Sequence, residues 1–134
     1  CFESCSIHSK YNRYITAAST PANQTSGYIF NHCHLTAADN INKVYLGRPW
    51  RPYAHTLFMN CTMDSHIRPE GWENWRNPAN EKTARYQEYN NTGAGANTSK
   101  RVGWSHQLTK KEAQGITIEK VFHSDTSWLP SCMK

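Results

Sequence analysis

The stretch Ile29-Phe30-Asn31-His32-Cys33-His34-Leu35 decides the fold, because it recurs. Cys1-Phe2-Glu3-Ser4-Cys5-Ser6-Ile7 stands 28 residues before it, and Leu57-Phe58-Met59-Asn60-Cys61-Thr62-Met63 stands 28 after it. A fourth block at the same spacing, Arg85-Tyr86-Gln87-Glu88-Tyr89-Asn90-Asn91, keeps the aromatic residue but not the cysteine. Phe2, Phe30, Phe58 and Tyr86 fall in register, as do Cys5, Cys33, Cys61 and Tyr89. Ile7, Leu35 and Met63 follow two residues on. A fixed period of roughly 20 to 50 residues is the mark of solenoids, propellers and arrays.

Working outward, the blocks are β-rich and separated by turn formers such as Thr20-Pro21-Ala22-Asn23 and Arg76-Asn77-Pro78-Ala79. No helical apolar periodicity emerges before Thr109–Gln114, which reads as a short charged helix or turn. The pattern predicts an all-β chain folded as a parallel β-helix, each turn contributing similar strands and stacking equivalent residues as ladders. The Phe and Cys columns are then interior, with cysteine acting as a small hydrophobe. A single irregular β-sheet domain is the alternative.

The 134 residues allow one domain, spanning 1–134, with a modest core. Mean hydropathy is −0.80 and no apolar run approaches membrane-spanning length, so no membrane partner is expected. The chain opens with Cys1 inside a strand-like block, so the reading expects an N-terminally truncated solenoid whose preceding turns are missing. Five cysteines leave an odd one; four lie in the repeat blocks and Cys132 in the tail, a pattern of stacked thiols rather than a disulfide framework. The formal net charge of +5 favours a polyanionic partner. Basic residues are scattered rather than gathered into a stripe, which speaks against nucleic acid, whereas five Trp and seven Tyr speak for an acidic sugar.

Leu46-Gly47-Arg48-Pro49-Trp50 follows the strand-like Lys43-Val44-Tyr45 and precedes the rigid Arg51-Pro52-Tyr53. In an extended segment Arg48 and Trp50, two residues apart, project to one face, and the prolines stiffen the display. A guanidinium beside a flat ring can hold a carboxylate through its planar fork and stack on a sugar. The plain alternative is a solvated corner whose Trp packs on a nearby loop. Trp72 and Trp75 follow another rigid corner, Arg68-Pro69-Glu70-Gly71; Trp72 and Trp104 are expected to seal loops, while Trp75 could do that or line a site.

Other features carry less. His32 and His34 are read as two imidazoles on the solvated face of one strand, without the further ligands a metal needs. Asn23-Gln24-Thr25, Asn60-Cys61-Thr62, Asn90-Asn91-Thr92 and Asn97-Thr98-Ser99 are glycosylation triplets, meaningful only in a eukaryotic secretory context, with Asn60 placed inside a strand. Thr92-Gly93-Ala94-Gly95-Ala96 is neither a phosphate loop nor a dinucleotide fingerprint.

Taken together, Tyr14-Ile15-Thr16-Ala17, Gly27-Tyr28-Ile29-Phe30-Asn31-His32-Cys33, Tyr45-Leu46-Gly47-Arg48-Pro49-Trp50, Ile67-Arg68-Pro69-Glu70-Gly71-Trp72-Glu73-Asn74-Trp75, Glu88-Tyr89-Asn90-Asn91-Thr92-Gly93-Ala94-Gly95-Ala96 and Arg101-Val102-Gly103-Trp104 resemble, in order, the C-terminal half of pectin methylesterases, particularly those of bacteria. The resemblance implies a right-handed parallel β-helix, no cofactor or metal, and removal of methyl esters from polygalacturonate by a secreted, periplasmic or cell-surface enzyme, expected to be monomeric. In that chemistry one aspartate attacks the ester carbonyl, a second serves as acid and then base, and glutamine donors hold the oxyanion. The resemblance implies that Arg48 pairs with the nucleophilic aspartate, that Trp50 stacks on the galacturonate ring and that Trp75 lines the cleft. The family's catalytic aspartates and glutamines belong to motifs upstream of the matched region, the nucleophile's Asp-Phe-Ile-Phe-Gly ending a few residues before Cys1. Asp39, Asp64 and Asp125 lie in no such motif and read as turn or surface residues. The isolated chain is therefore expected to be inactive alone; a non-catalytic module that binds acidic polysaccharide through Arg48, Trp50 and Trp75 is the alternative.

Overall fold

Each of the first three repeat blocks folds as two short strands joined at a sharp corner, rather than as one strand, and the fourth supplies a single strand before its corner. The computed structural model describes residues 2–24 and 27–116; Cys1, Thr25, Asp125 and Cys132 lie outside the described residues. The first turn contains β1 (Phe2–Glu3), β2 (Ser6–Ser9) and β3 (Tyr14–Ala18), and the second β4 (Tyr28–Asn31), β5 (His34–Ala37) and β6 (Tyr45–Pro49). β7 (His55–Met59) and β8 (Thr62–Met63) follow, then β9 (Arg85–Tyr89) and β10 (His106–Gln107). All pairs are parallel, in three sheets ordered β1-β4-β7-β9-β10, β2-β5-β8 and β3-β6, which is a parallel β-helix.

The corners are Ser4, His32, Asn60 and Asn90, with φ of 55°, 54°, 54° and 51°. This left-handed region is costly for most L-residues and is visited most readily by Asn and Asp. A polar ladder ties the corners: Asn90 Nδ2 donates to Asn60 Oδ1 at 2.8 Å, Asn60 Nδ2 to Asn31 Oδ1 at 2.9 Å, and Asn31 Nδ2 to Glu3 Oε2 at 2.8 Å. Two expectations are thereby corrected. Asn60 is a corner rather than a strand residue, and His32 and His34 do not share a strand, since His32 turns the corner and His34 opens β5. Alternation along a continuous strand cannot foresee a single left-handed residue that redirects it.

The period also changes once. β1, β4 and β7 pair at 28 residues, Phe2 opposite Phe30 and Phe30 opposite Phe58. β9 then pairs with β7 at 30, so Glu88 rather than Tyr86 lies opposite Phe58. Asn91, not Tyr89, takes the rung below Cys61; its Oδ1 accepts from the Cys61 N–H at 2.9 Å. A slip of two preserves which side chains face inward, so matching aromatics alone cannot distinguish the two registers.

Phe2, Phe30 and Phe58 stack with ring centroids 4.7 and 4.5 Å apart, and Trp72 continues the pile, 6.0 Å from Phe58 and 4.2 Å from Tyr86. Trp72 is therefore a core residue of the β-helix and not merely a loop seal; Trp104 packs against Tyr86 at 5.8 Å. Cys5, Cys33 and Cys61 are free thiols in the expected column. Burial pushes the Cys33 thiol up and that of Cys61 up to about 12, so neither is a ready nucleophile. Short helices α1 (Asn80–Thr83) and α2 (Lys110–Gln114) complete the elements, α2 opened by a capping box between Thr109 and Glu112 in the segment read as helix or turn.

Two buried histidines make stability depend on acid. His55 Nδ1 accepts from the Gly27 N–H at 2.6 Å while its Nε2 faces Gln87 Oε1 at 2.9 Å, an arrangement made by the neutral ring. Burial lowers the pKa of His55, and also that of His66, whose buried ring nitrogens have no partners among the described residues. Because the folded pKa lies below the unfolded value, the unfolded chain binds more protons in the window between them. The contribution is whole above about pH 6.5 and is lost as pH falls through the folded value. We expect the denaturation midpoint to decline from pH 7 to pH 5, and His55→Gln to flatten part of that decline.

Candidate functional site

The site is built on β6 and the β3 strand beside it. Gly47 sits at the centre of β6, where an added Cβ would collide with Thr16 Oγ1 and lie 3.0 Å from the Trp72 ring, so no larger residue fits between β3 and the core. Gly47→Ala should cost about 1–3 kcal/mol in chemical denaturation. The close packing fixes the strand from which Arg48 projects outward, half-buried.

Arg48 lies in an aromatic cage. Its guanidinium carbon is 4.1 Å from the Trp75 ring centroid, 4.4 Å from that of Tyr14 and 5.7 Å from that of Trp50. Tyr14 and Trp75 meet edge to face, and Tyr14 stacks on Tyr45, its register partner across β3 and β6, at 5.4 Å. Trp75 and Arg76 are consecutive left-handed residues, with φ of 57° and 58°. A bulky residue there is strained and persists only when its surroundings hold it. Here Asn74 Oδ1 accepts from the Arg76 N–H at 2.9 Å and the Asn74 carbonyl accepts from Asn80 Nδ2 at 3.1 Å, which keeps the indole over the guanidinium.

Among the described residues the cation has aromatic company but no anion. Arg48 Nε is buried without a hydrogen-bond partner, and among the described residues no carboxylate lies within ion-pair distance of it. Asp39 is exposed in a turn and Asp64 pairs with His34 at 3.0 Å, so both are surface residues, as read. His32 pairs instead with Glu3 at 2.8 Å, and among the described residues no cluster of His, Cys, Asp or Glu is arranged for a metal.

Two recesses flank the cage. One of 290 Å³ lies beside Arg13, Tyr14 and Arg48; the other, of 630 Å³, runs along Tyr14, Tyr45, Glu73 and Trp75. Trp50 and Trp75 are 58% and 43% exposed, so each offers a ring face at the rim. The Tyr14 hydroxyl donates to Glu73 Oε2 at 2.6 Å, and its pKa is raised by burial, by that hydrogen bond and by the Glu73 charge.

The family model for Pectinesterase matches residues 1–125. The chain belongs to the pectinesterase family. Pectinesterase 31 of Arabidopsis thaliana is 42% identical over 131 residues, covering 95% of this chain and 41% of that protein. The pectin methylesterase of carrot superposes with a TM-score of 0.82 at 34% identity, over 95% of this chain and 44% of that one. Pectin methylesterase PemA from Erwinia chrysanthemi gives 0.76 at 28% identity, over 96% and 46%. These plant proteins share more identity with the chain than the bacterial enzyme does. This pectinesterase chain spans about two fifths of the curated relative's length.

Arg48, Trp50 and Trp75, singled out in the sequence, thus converge at one place. Tyr14, Tyr45 and Glu73 were missed as site residues. Tyr14 and Tyr45 pair at a separation of 31 residues, outside the repeat of 28, and Glu73 belongs to a loop whose path no periodicity gives.

Proposed function

We propose that this chain forms the C-terminal turns of a single β-helical domain that hydrolyses methyl esters of polygalacturonate, with Arg48 as its catalytic cation. The observation that carries the reading is the caged guanidinium of Arg48, whose buried Nε has no hydrogen-bond partner among the described residues. A buried donor without an acceptor is costly, and a carboxylate arriving from outside the described residues would satisfy it. That carboxylate is the nucleophilic aspartate: the guanidinium holds it ionised and aimed at the ester carbonyl. A second aspartate gives a proton to the departing methanol and then takes one from water, while glutamine donors hold the oxyanion. Trp50 and Trp75 take the sugar rings. One pectinesterase relative has been solved in complex with a hexasaccharide, which fits an open groove of this kind.

We place the protein outside the cell or in the periplasm, where pectin lies, and expect it to act as a monomer without nucleic acid, membrane or cofactor. The test is methanol release from highly methylated pectin by a full-length protein carrying this sequence. Release is expected, and its absence in a folded protein overturns the proposal. A second reading rests on the same empty guanidinium: alone, the chain grips acidic polysaccharide through Arg48, Trp50 and Trp75. It would then bind both methylated and demethylated polygalacturonate while releasing no methanol.

A further inference from the structure

Glu73 is an anomaly in a groove meant for a polyanion. The 630 Å³ recess bordered by Tyr14, Tyr45, Glu73, Asn74, Trp75 and Arg76 should attract uronates, and its aromatic rings offer the stacking faces. Yet it contains a carboxylate that no cation neutralises, since no ion pair of Glu73 occurs among the described residues. One oxygen, Oε2, accepts a hydrogen bond from the Tyr14 hydroxyl at 2.6 Å, which fixes the group; among the described residues Oε1 has no partner, and it faces whatever occupies the groove. Tyr14 is also the ring on which Arg48 lies, so one tyrosine presents a cation on its face and an anion at its hydroxyl.

We infer that Glu73 is a specificity-determining residue that selects esterified over free galacturonate in the groove beside Arg48. Building on the proposed function, it names the methylation state accepted at one place. A methyl ester is uncharged and can lie against the carboxylate at little cost. A free uronate at the same position places like charges a few ångströms apart. In a water-like medium that repulsion corresponds to about a fivefold difference in affinity, and it weakens with salt. Arg76 borders the same recess and would reduce the difference, so the preference should grow when that charge is removed.

The experiment titrates a full-length protein carrying this sequence with trigalacturonate and with its methyl ester, following tryptophan fluorescence by stopped flow before turnover. The ester is expected to bind about fivefold more tightly at low ionic strength, and Arg76→Gln to widen the ratio. Glu73→Gln should bring the ratio to about one, and Glu73→Lys should reverse it. Tyr14→Phe removes the hydrogen bond but keeps the carboxylate, and should retain the preference. An unchanged ratio in folded Glu73→Gln and Glu73→Lys overturns the inference while leaving the proposed function standing. Failure of the folded full-length protein to bind either sugar overturns the sugar-binding role of the groove, and the selector with it.

Discussion

Arg48→Ala, placed in a full-length protein carrying this sequence, should lower kcat for methanol release by about 10²–10³-fold while leaving KM for pectin within a few-fold. The asymmetry follows from where the guanidinium sits. Its planar face lies on Tyr14 and Trp75, so its contribution to sugar stacking is indirect, and the rings would remain after truncation. What alanine removes is the positive charge that, in the proposed mechanism, holds a nucleophilic carboxylate ionised and pointed at the ester. A lysine should recover little. Its ammonium cannot reproduce the planar fork that lies between two rings while also donating to an anion. The result that would count against the assignment is unchanged turnover, or a rise in KM at constant kcat, which would make Arg48 a substrate-binding residue only.

The core of that site could be read from the chain because its chemistry is local. Arg48 and Trp50 are two residues apart in an extended strand, and alternation alone turns them to one face. Trp75 needed the family resemblance, because a pair of left-handed residues, and not a periodic element, carries its ring to the guanidinium. Tyr14 and Glu73 needed the structure. Their hydrogen bond joins positions 59 residues apart, through a strand pairing and a loop that no sequence spacing encodes. The emptiness of the guanidinium was equally invisible. A sequence displays an arginine, but only coordinates show that no carboxylate among the described residues reaches it.

The fold was legible to the extent that its repeats were regular. Identical residues at 28 gave the Phe and Cys ladders of the first three turns, and the hydrogen-bonded registers agree with them. The extrapolation broke at the fourth block, where the chain uses 30 residues and replaces the next phenylalanine with Glu88. Tyr86 had matched the phenylalanines by residue type, and it is buried, but it stacks on Trp72 two positions out of step. Trp72 enters the pile from the loop after β8, which is why the aromatic column survives the loss of its own rung.

That substitution sets up the second large effect. Glu88 is 1% exposed, and Arg101, whose side chain is 3% exposed, meets it with Nε at 3.0 and 3.1 Å and a terminal nitrogen at 3.0 Å. Trp72 Nε1 and Gln107 Nε2 each donate to the same carboxylate at 3.2 Å. Arg101 spends its remaining donors on the carbonyls of Arg68, Pro69 and Gly95, so it ties the loop after β8 and the short 3-10 helix Ala94–Ala96 to the final turn. Every polar group in the network is satisfied, which is the condition under which a buried pair is tolerated. Arg101→Ala leaves the carboxylate buried and unpaired, and should cost about 3–5 kcal/mol in denaturant unfolding. Glu88→Leu alone should also destabilise, by stranding the guanidinium and the Trp72 N–H. The double variant Glu88→Leu/Arg101→Met replaces both charges with apolar volume, so it should recover much of the loss of either single change. If the pair is instead a net source of stability, the double variant will recover nothing and stay as weak as the weaker single variant. Recovery would mean that the phenylalanine column could have continued through this rung, and that Arg101 is retained for tying the loops together rather than for holding up the core.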